Sequence, residues 1–153
     1  MAAVSAVNPN QAAPSTANRR ADMVDSLLLL RDINDGAETT DAAEAAVNID
    51  LESLSMAAIV INSSGSSGTV DGSNYWDLII EAADNTGFSN PTTLLTQTLP
   101  GTAAEYYLPI DGRQLETFRT AGEDPSIYIR CRLSETGTTA TDVTYGAYIT
   151  SQC

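Results

Sequence analysis

Short segments of alternating apolar and polar residues, cut by turn residues, predict an all-β chain: a single jelly roll or β-sandwich of about eight strands with an extended N-terminal arm. Three features of the sequence carry that expectation. Period-two alternation recurs from residue 45 to residue 150; Gly, Asn, Asp or Pro closes nearly every alternating segment; no long stripe of 3.6 period and no fixed-period repeat interrupts them. No linker divides the chain, so it reads as an arm over residues 1–21 followed by one domain over 22–153.

The arm comes first. Residues 1–21 are rich in Ala, Ser, Asn and Pro, include Pro9, Pro14 and the pair Arg19-Arg20, and show neither period. Such a stretch reads either as a disordered tail or as an arm that orders on a partner. Residues 23–32 form a short helix or a strand, since the run Leu27, Leu28, Leu29, Leu30 satisfies either period. Over 45–53, Val47, Ile49 and Leu51 share one face, with Asn48, Asp50 and Glu52 on the other. Residues 56–62 are apolar on both faces and β-branched at Ile59, Val60 and Ile61, as a central strand requires. Residues 62–74, NSSGSSGTVDGSN, read as a mobile surface loop.

Alternation resumes over 75–83, with Trp76, Leu78, Ile80 and Ala82 inward and Asp77 and Glu81 outward. Residues 84–87 make a turn. Residues 92–99 and 105–110 are Thr- and Tyr-rich strands joined through Pro100-Gly101, and 114–119 forms a short strand or one helical turn. Over 126–133, Ile127, Ile129, Cys131 and Leu133 face inward while Tyr128, Arg130 and Arg132 face out. Val143, Tyr145, Ala147 and Ile149 then share one face of the last strand.

Composition narrows the function. Twenty acidic residues stand against seven arginines, with no lysine or histidine, for a net charge of −13. That surface repels phosphate backbones, so nucleic acid is not an expected partner. The longest apolar runs fall far short of the roughly 20 residues a spanning helix needs, so a membrane is not expected either. The stretch MAAVSAVNPNQ lacks the basic region and long apolar run of a secretory signal, so none is expected there, and the expected place of synthesis is a cytoplasm.

The missing histidine and lysine remove the Ser-His-Asp and Cys-His relays, Schiff-base and phosphate-loop lysines, and histidine metal ligands. A non-enzymatic protein without cofactor or metal is the expectation. The segment RDINDGAE (31–38) gathers Asp32, Asn34, Asp35 and Glu38, but counted from Asp32 the calcium-loop glycine falls at position 5 and Ala43 at position 12. The loop pattern needs Gly at 6 and an acid at 12, so a solvated turn is the better reading. Cys131 reads as a small buried hydrophobe and Cys153 as an exposed thiol. Tyr128, Arg130 and Arg132 are candidate partner contacts, because Tyr and Arg are enriched where interfaces concentrate their energy; pairing with the abundant carboxylates is the competing reading.

The order of these elements resembles a family of tailed-phage capsid cement (decoration) proteins, of the type known from a Bordetella podophage. The matching stretches are V-D-x-x-L-x-L-x-D at 24–32, V-x-I-D-L at 47–51, the apolar strand at 57–61 and F-S-x-x-T-T-L at 88–94. After these come L-P at 108–109, Y-I-R-x-R-L at 128–133, and T-G-T followed by V-T-x-x-A-x-I within 136–149. The resemblance covers residues 23–150. It implies a homotrimeric jelly-roll subunit on the exterior of an icosahedral virion, assembled in the host cytoplasm and bound where major capsid proteins meet. On that reading Arg19 and Arg20 would reach a neighbouring subunit. A jelly-roll module that recognises carbohydrate or a receptor is the alternative, and it would need exposed aromatic residues where alternation puts the only tryptophan, Trp76, in the core.

Overall fold

The computed structural model describes residues 28–50, 57–111, 118 and 126–151. Among these residues nine strands form: β1 (Leu29–Arg31), β2 (Ala42–Ala43), β3 (Val47–Asp50), β4 (Ala57–Gly68), β5 (Tyr75–Ala83), β6 (Thr92–Leu99), β7 (Ala104–Pro109), β8 (Ser126–Thr136) and β9 (Ala140–Ser151). They build two antiparallel sheets. The first runs β1-β9-β4-β7; the second runs β2-β8-β5-β6, with β3 also on β8.

The pairings are nested. β1 pairs β9, β2 and β3 pair consecutive stretches of β8, β4 pairs β7 and β5 pairs β6. Taking β2 and β3 as one interrupted strand, this is a long hairpin rolled up so that its first and last strands meet. Contacts of β4 with β9 and β5 with β8 then close it into two four-position sheets. That is a jelly roll, two interlocked Greek keys. The arm over 1–21 lies outside the described residues, as do 23–27 of the first predicted segment and all of 114–119 except Phe118.

The alternating residues meet between the sheets. Trp76, Leu78, Ile80, Leu99, Ile127, Ile129 and Leu133 from the second sheet, with Ile59, Ile61 and Tyr145 from the first, are the largest fully buried side chains. Burying one such aliphatic or aromatic group stabilises the fold by about 1.5–3 kcal/mol. β4 is buried on both faces: Ile59 and Ile61 join the core cluster, while Ala58 and Val60, on the opposite face, are also inaccessible. Trp76 is wholly buried, and its indole N–H finds no partner.

One expectation is corrected. The first part of the stretch 62–74 is not a loop, because β4 continues through Gly68 and pairs β9 as far as Gly68↔Ala140. Ser and Gly are poor strand formers, so the reason lies in the partner strand. The Ser67 amide donates to Asp142 Oδ1 at 3.0 Å, and the Ser67 and Thr141 hydroxyls lie 2.8 Å apart. The register slips between Ser63 and Gly65 and again between Ser67 and Gly68. Gly65 and Gly68 take positive φ there (99° and 80°), the conformation that bulges of this kind ask of glycine.

The rest of the stretch is tied down as well. Asp71 Oδ1 accepts from the Ser73 amide (2.7 Å) and the Asn74 amide (3.0 Å), which hold this carboxyl below its ordinary range. Asn74 Oδ1 in turn accepts from the Thr138 amide at 3.1 Å, joining the 71–74 turn to the β8–β9 turn.

Candidate functional site

Tyr128, Arg130 and Arg132 project from the outer face of the second sheet, as alternation along β8 requires. Their cross-strand partners on β5 are Ala83, Glu81 and Ile79. Glu81 decides what the two arginines do. Its side chain is only 4% exposed, although its place in the alternation is an outward one. Arg130 closes over it, with Nε at 2.7 Å and Nη2 at 2.6 Å from Oε1, and the guanidinium lies 4.0 Å from the centre of the Phe88 ring.

The turn over 84–87 makes that stacking possible. Asn85 Oδ1 accepts from the Gly87 amide at 3.1 Å, Phe88 takes a φ of 49°, and its ring folds back until it is 6% exposed. Arg130 is therefore a positioned, largely internal group: removing it would leave a buried carboxylate without its main partner. Arg132 differs. Its Nε is 3.7 Å from the same Glu81 oxygen and its side chain is 37% exposed. Arg132 is thus the more weakly held and more exposed of the two guanidinium groups on this face. Tyr128 is half-buried beside them.

So the structure brings three of the five predicted contact residues together on one face, and intramolecular pairing accounts for Arg130. Arg19 and Arg20 lie outside the described residues, as does Cys153.

A second polar cluster was not anticipated. Arg31, at the end of β1, is 5% exposed. Its Nη1 bonds Glu44 Oε1 and lies 2.7 Å from Glu38 Oε1, its Nη2 donates to the Gly36 carbonyl at 2.9 Å, and its guanidinium lies 4.8 Å from the centre of the Tyr145 ring. Tyr145 Oη donates to Glu44 at 3.4 Å and sits 3.9 Å from Cys131 Sγ. Backbone bonds fix both carboxylates: Glu38 exchanges a pair with Val143 on β9 (2.9 and 3.0 Å), and the Glu44 amide donates to the Cys131 carbonyl on β8 (3.0 Å). Arg31 thus clasps the β1–β2 connection to both sheets at once.

Titration in this cluster is that of a lock. Burial pushes the Cys131 thiol up to about 12, although its hydrogen bond to Tyr145 works the other way. Burial also raises Tyr145, with the Cys131 and Glu44 charges adding to it. Burial works against the Arg31 cation, but the Glu44 hydrogen bond and the charges of Tyr145, Glu44 and Glu38 outweigh it, and its pKa stands above the ordinary value. A thiol and a phenol held protonated are poor nucleophiles and poor bases.

The sequence holds one hint of this cluster: an arginine directly after four leucines, a charge at the end of an apolar run. The acidic segment that follows is the turn expected of it, a short 3-10 helix over Ile33–Asp35 with a capping box between Asp32 and Asp35. Among the described residues no three His, Cys, Asp or Glu side chains gather as metal ligands would, and no helix is long and apolar enough to cross a membrane.

Compared with models of known protein families and with curated proteins, the chain finds no match.

Proposed function

We propose that this chain is a capsid decoration protein, a non-enzymatic subunit that seats as a homotrimer on the outside of an icosahedral phage head and braces contacts between major capsid proteins. The observation that carries the reading is the set of nested pairings, which make the jelly roll that the resemblance to cement proteins implies. The net charge of −13 also supports it, since it suits an exterior position, away from packaged DNA.

Mechanism then follows from mass action. A subunit that binds only the assembled lattice stabilises that lattice by its binding free energy, and linking three footprints in a trimer multiplies the effect. Contact with the capsid falls to the arm, with Arg19 and Arg20, and to the outer face of β8, where Tyr128 and Arg132 have surface left to offer. A carbohydrate-binding module is less well supported, because the only tryptophan is fully buried.

Co-sedimentation tests the proposal. The full chain should pellet with expanded heads and sediment alone as a trimer; deletion of residues 1–21 should lower occupancy on heads. A strict monomer that stays in the supernatant would sink the reading.

A further inference from the structure

A two-sheet sandwich has four edges, and three of them here carry a device that discourages pairing. β1 is three residues long, and the edge opposite β6 in the second sheet is split into β2 and β3, of two and four residues. β7 carries Glu105 and ends in Pro109, which has no amide to donate. Shortness, charge and proline are the usual guards of a sheet edge.

β6 has none of these over most of its length. It runs eight residues, TTLLTQTL, without a charge or a proline. Its one irregularity is a register slip opposite Ile80 and Glu81; beyond it, five consecutive residues from Leu95 to Leu99 pair β5 in unbroken register, from Ile80↔Leu95 to Trp76↔Leu99. Among the described residues nothing pairs the other side of this stretch, and Thr96 and Thr98 are exposed. Among the described residues, then, an uncharged strand edge about 17 Å long has no partner strand, on a protein of net charge −13.

We propose that this edge accepts, by strand addition, the N-terminal stretch of a second copy of the chain. Residues 2–8 (AAVSAVN) carry neither charge nor proline and are long enough to pair with Leu95–Leu99. Charge complementarity favours this occupant. Residues 1–21 hold two arginines and no acid, so the other five arginines and all 20 acidic residues belong to 22–153: the arm is the cationic part of a chain whose body is strongly acidic.

The self-association proposed above favours a second copy over the same one, and placement permits it. The chain enters the fold at β1, which is one edge of the first sheet, while β6 runs through a four-residue connection into β7, the opposite edge of that sheet. Donor and acceptor thus lie on opposite sides of the sandwich, three strand spacings or about 14 Å apart within the first sheet alone. The stretch between Asn8 and Leu28 spans up to about 60 Å when extended, against a domain diameter of about 40 Å, so it reaches a neighbour easily. Different surfaces on the two partners make a head-to-tail contact, which closes into a ring such as a trimer. The inference rests on the self-associating subunit proposed above and specifies how the copies are joined.

The test uses the full chain, with a synthetic peptide of residues 1–21 as probe, followed by sedimentation and amide hydrogen exchange. In the oligomer the amides of β6 should exchange slowly, and an excess of peptide should release monomers whose β6 amides remain protected. Thr96→Lys, which places a charge at the open edge, should weaken association roughly tenfold or more, whereas Thr96→Val should not. An oligomer that survives both excess peptide and Thr96→Lys would overturn the proposal. So would β6 protection that persists in a dilute monomer without peptide, which would mean that each arm serves its own chain. Because heads are not involved, failure here leaves attachment to capsids to be judged on its own assay.

Discussion

Glu44→Ala should destabilise the protein more than Arg31→Met, although both remove the same ion pair. The reason is what each leaves behind. The Arg31 side chain is 3% exposed, whereas those of Glu38 and Glu44 are 26% and 21% exposed. Without Glu44 the guanidinium stays buried, with Nε already unpartnered, and keeps only Glu38 and the Gly36 carbonyl. Breaking a buried pair from one side costs about 3–5 kcal/mol, and the surviving Glu38 contact at 2.7 Å places this variant near the lower end, about 3 kcal/mol. Without Arg31 the two carboxylates can take up water and methionine fills much of the volume, so the loss is about 1–2 kcal/mol. Urea unfolding at neutral pH reads both, as midpoints that fall while the slope stays constant. For a chain of this length about 3 kcal/mol corresponds to a fall in Tm of about 6–12 °C. A Glu44→Ala variant within about 0.5 kcal/mol of the parent, or an Arg31→Met variant that is the less stable of the two, would refute the clasp.

Two further outcomes follow from the same structure. Cys131 and Tyr145 have pKa values raised by folding, so the stability they confer is complete below their unfolded values and drains away as the pH climbs. For Cys131, from an ordinary value of 9.0 to about 12, the loss approaches about 4 kcal/mol at pH 12, and Cys131→Ala should flatten the fall of the urea midpoint between pH 8 and pH 11. Gly68→Ala should cost about 2 kcal/mol or more: a Cβ there would stand 2.1 Å from the Thr139 carbonyl oxygen at a φ of 80°, while Gly72→Ala, with open space around it, should be near neutral in the same thermal scan.

Much of the fold was legible because period-two alternation and burial express one constraint. Trp76, Leu78, Ile80 and Ala82 lie wholly inside, as do Cys131 and Leu133, because a strand between two sheets has no other place for its odd or even set. The strand ends of β4 were not legible. Ser64, Ser66 and Ser67 argue for a loop, and only the ladder offered by β9 makes them strand. The site was half legible. Tyr128, Arg130 and Arg132 do share an outer face, but alternation cannot reveal that Phe88 folds over Arg130 and buries Glu81, since that depends on a turn's backbone. Arg31 escaped for a related reason: Glu38 follows it in the β1–β2 connection, Glu44 comes just after β2 and Tyr145 from β9, and the three converge on it only when the hairpin rolls up.

The central claim is that this jelly roll decorates the outside of a phage head, and a reconstruction of heads assembled with the full chain tests it most directly. The account predicts three-fold density of jelly-roll shape on the outer surface where capsid subunits meet, absent from heads assembled without the chain. Identical density in the two particles, or the chain found inside the shell, would contradict it.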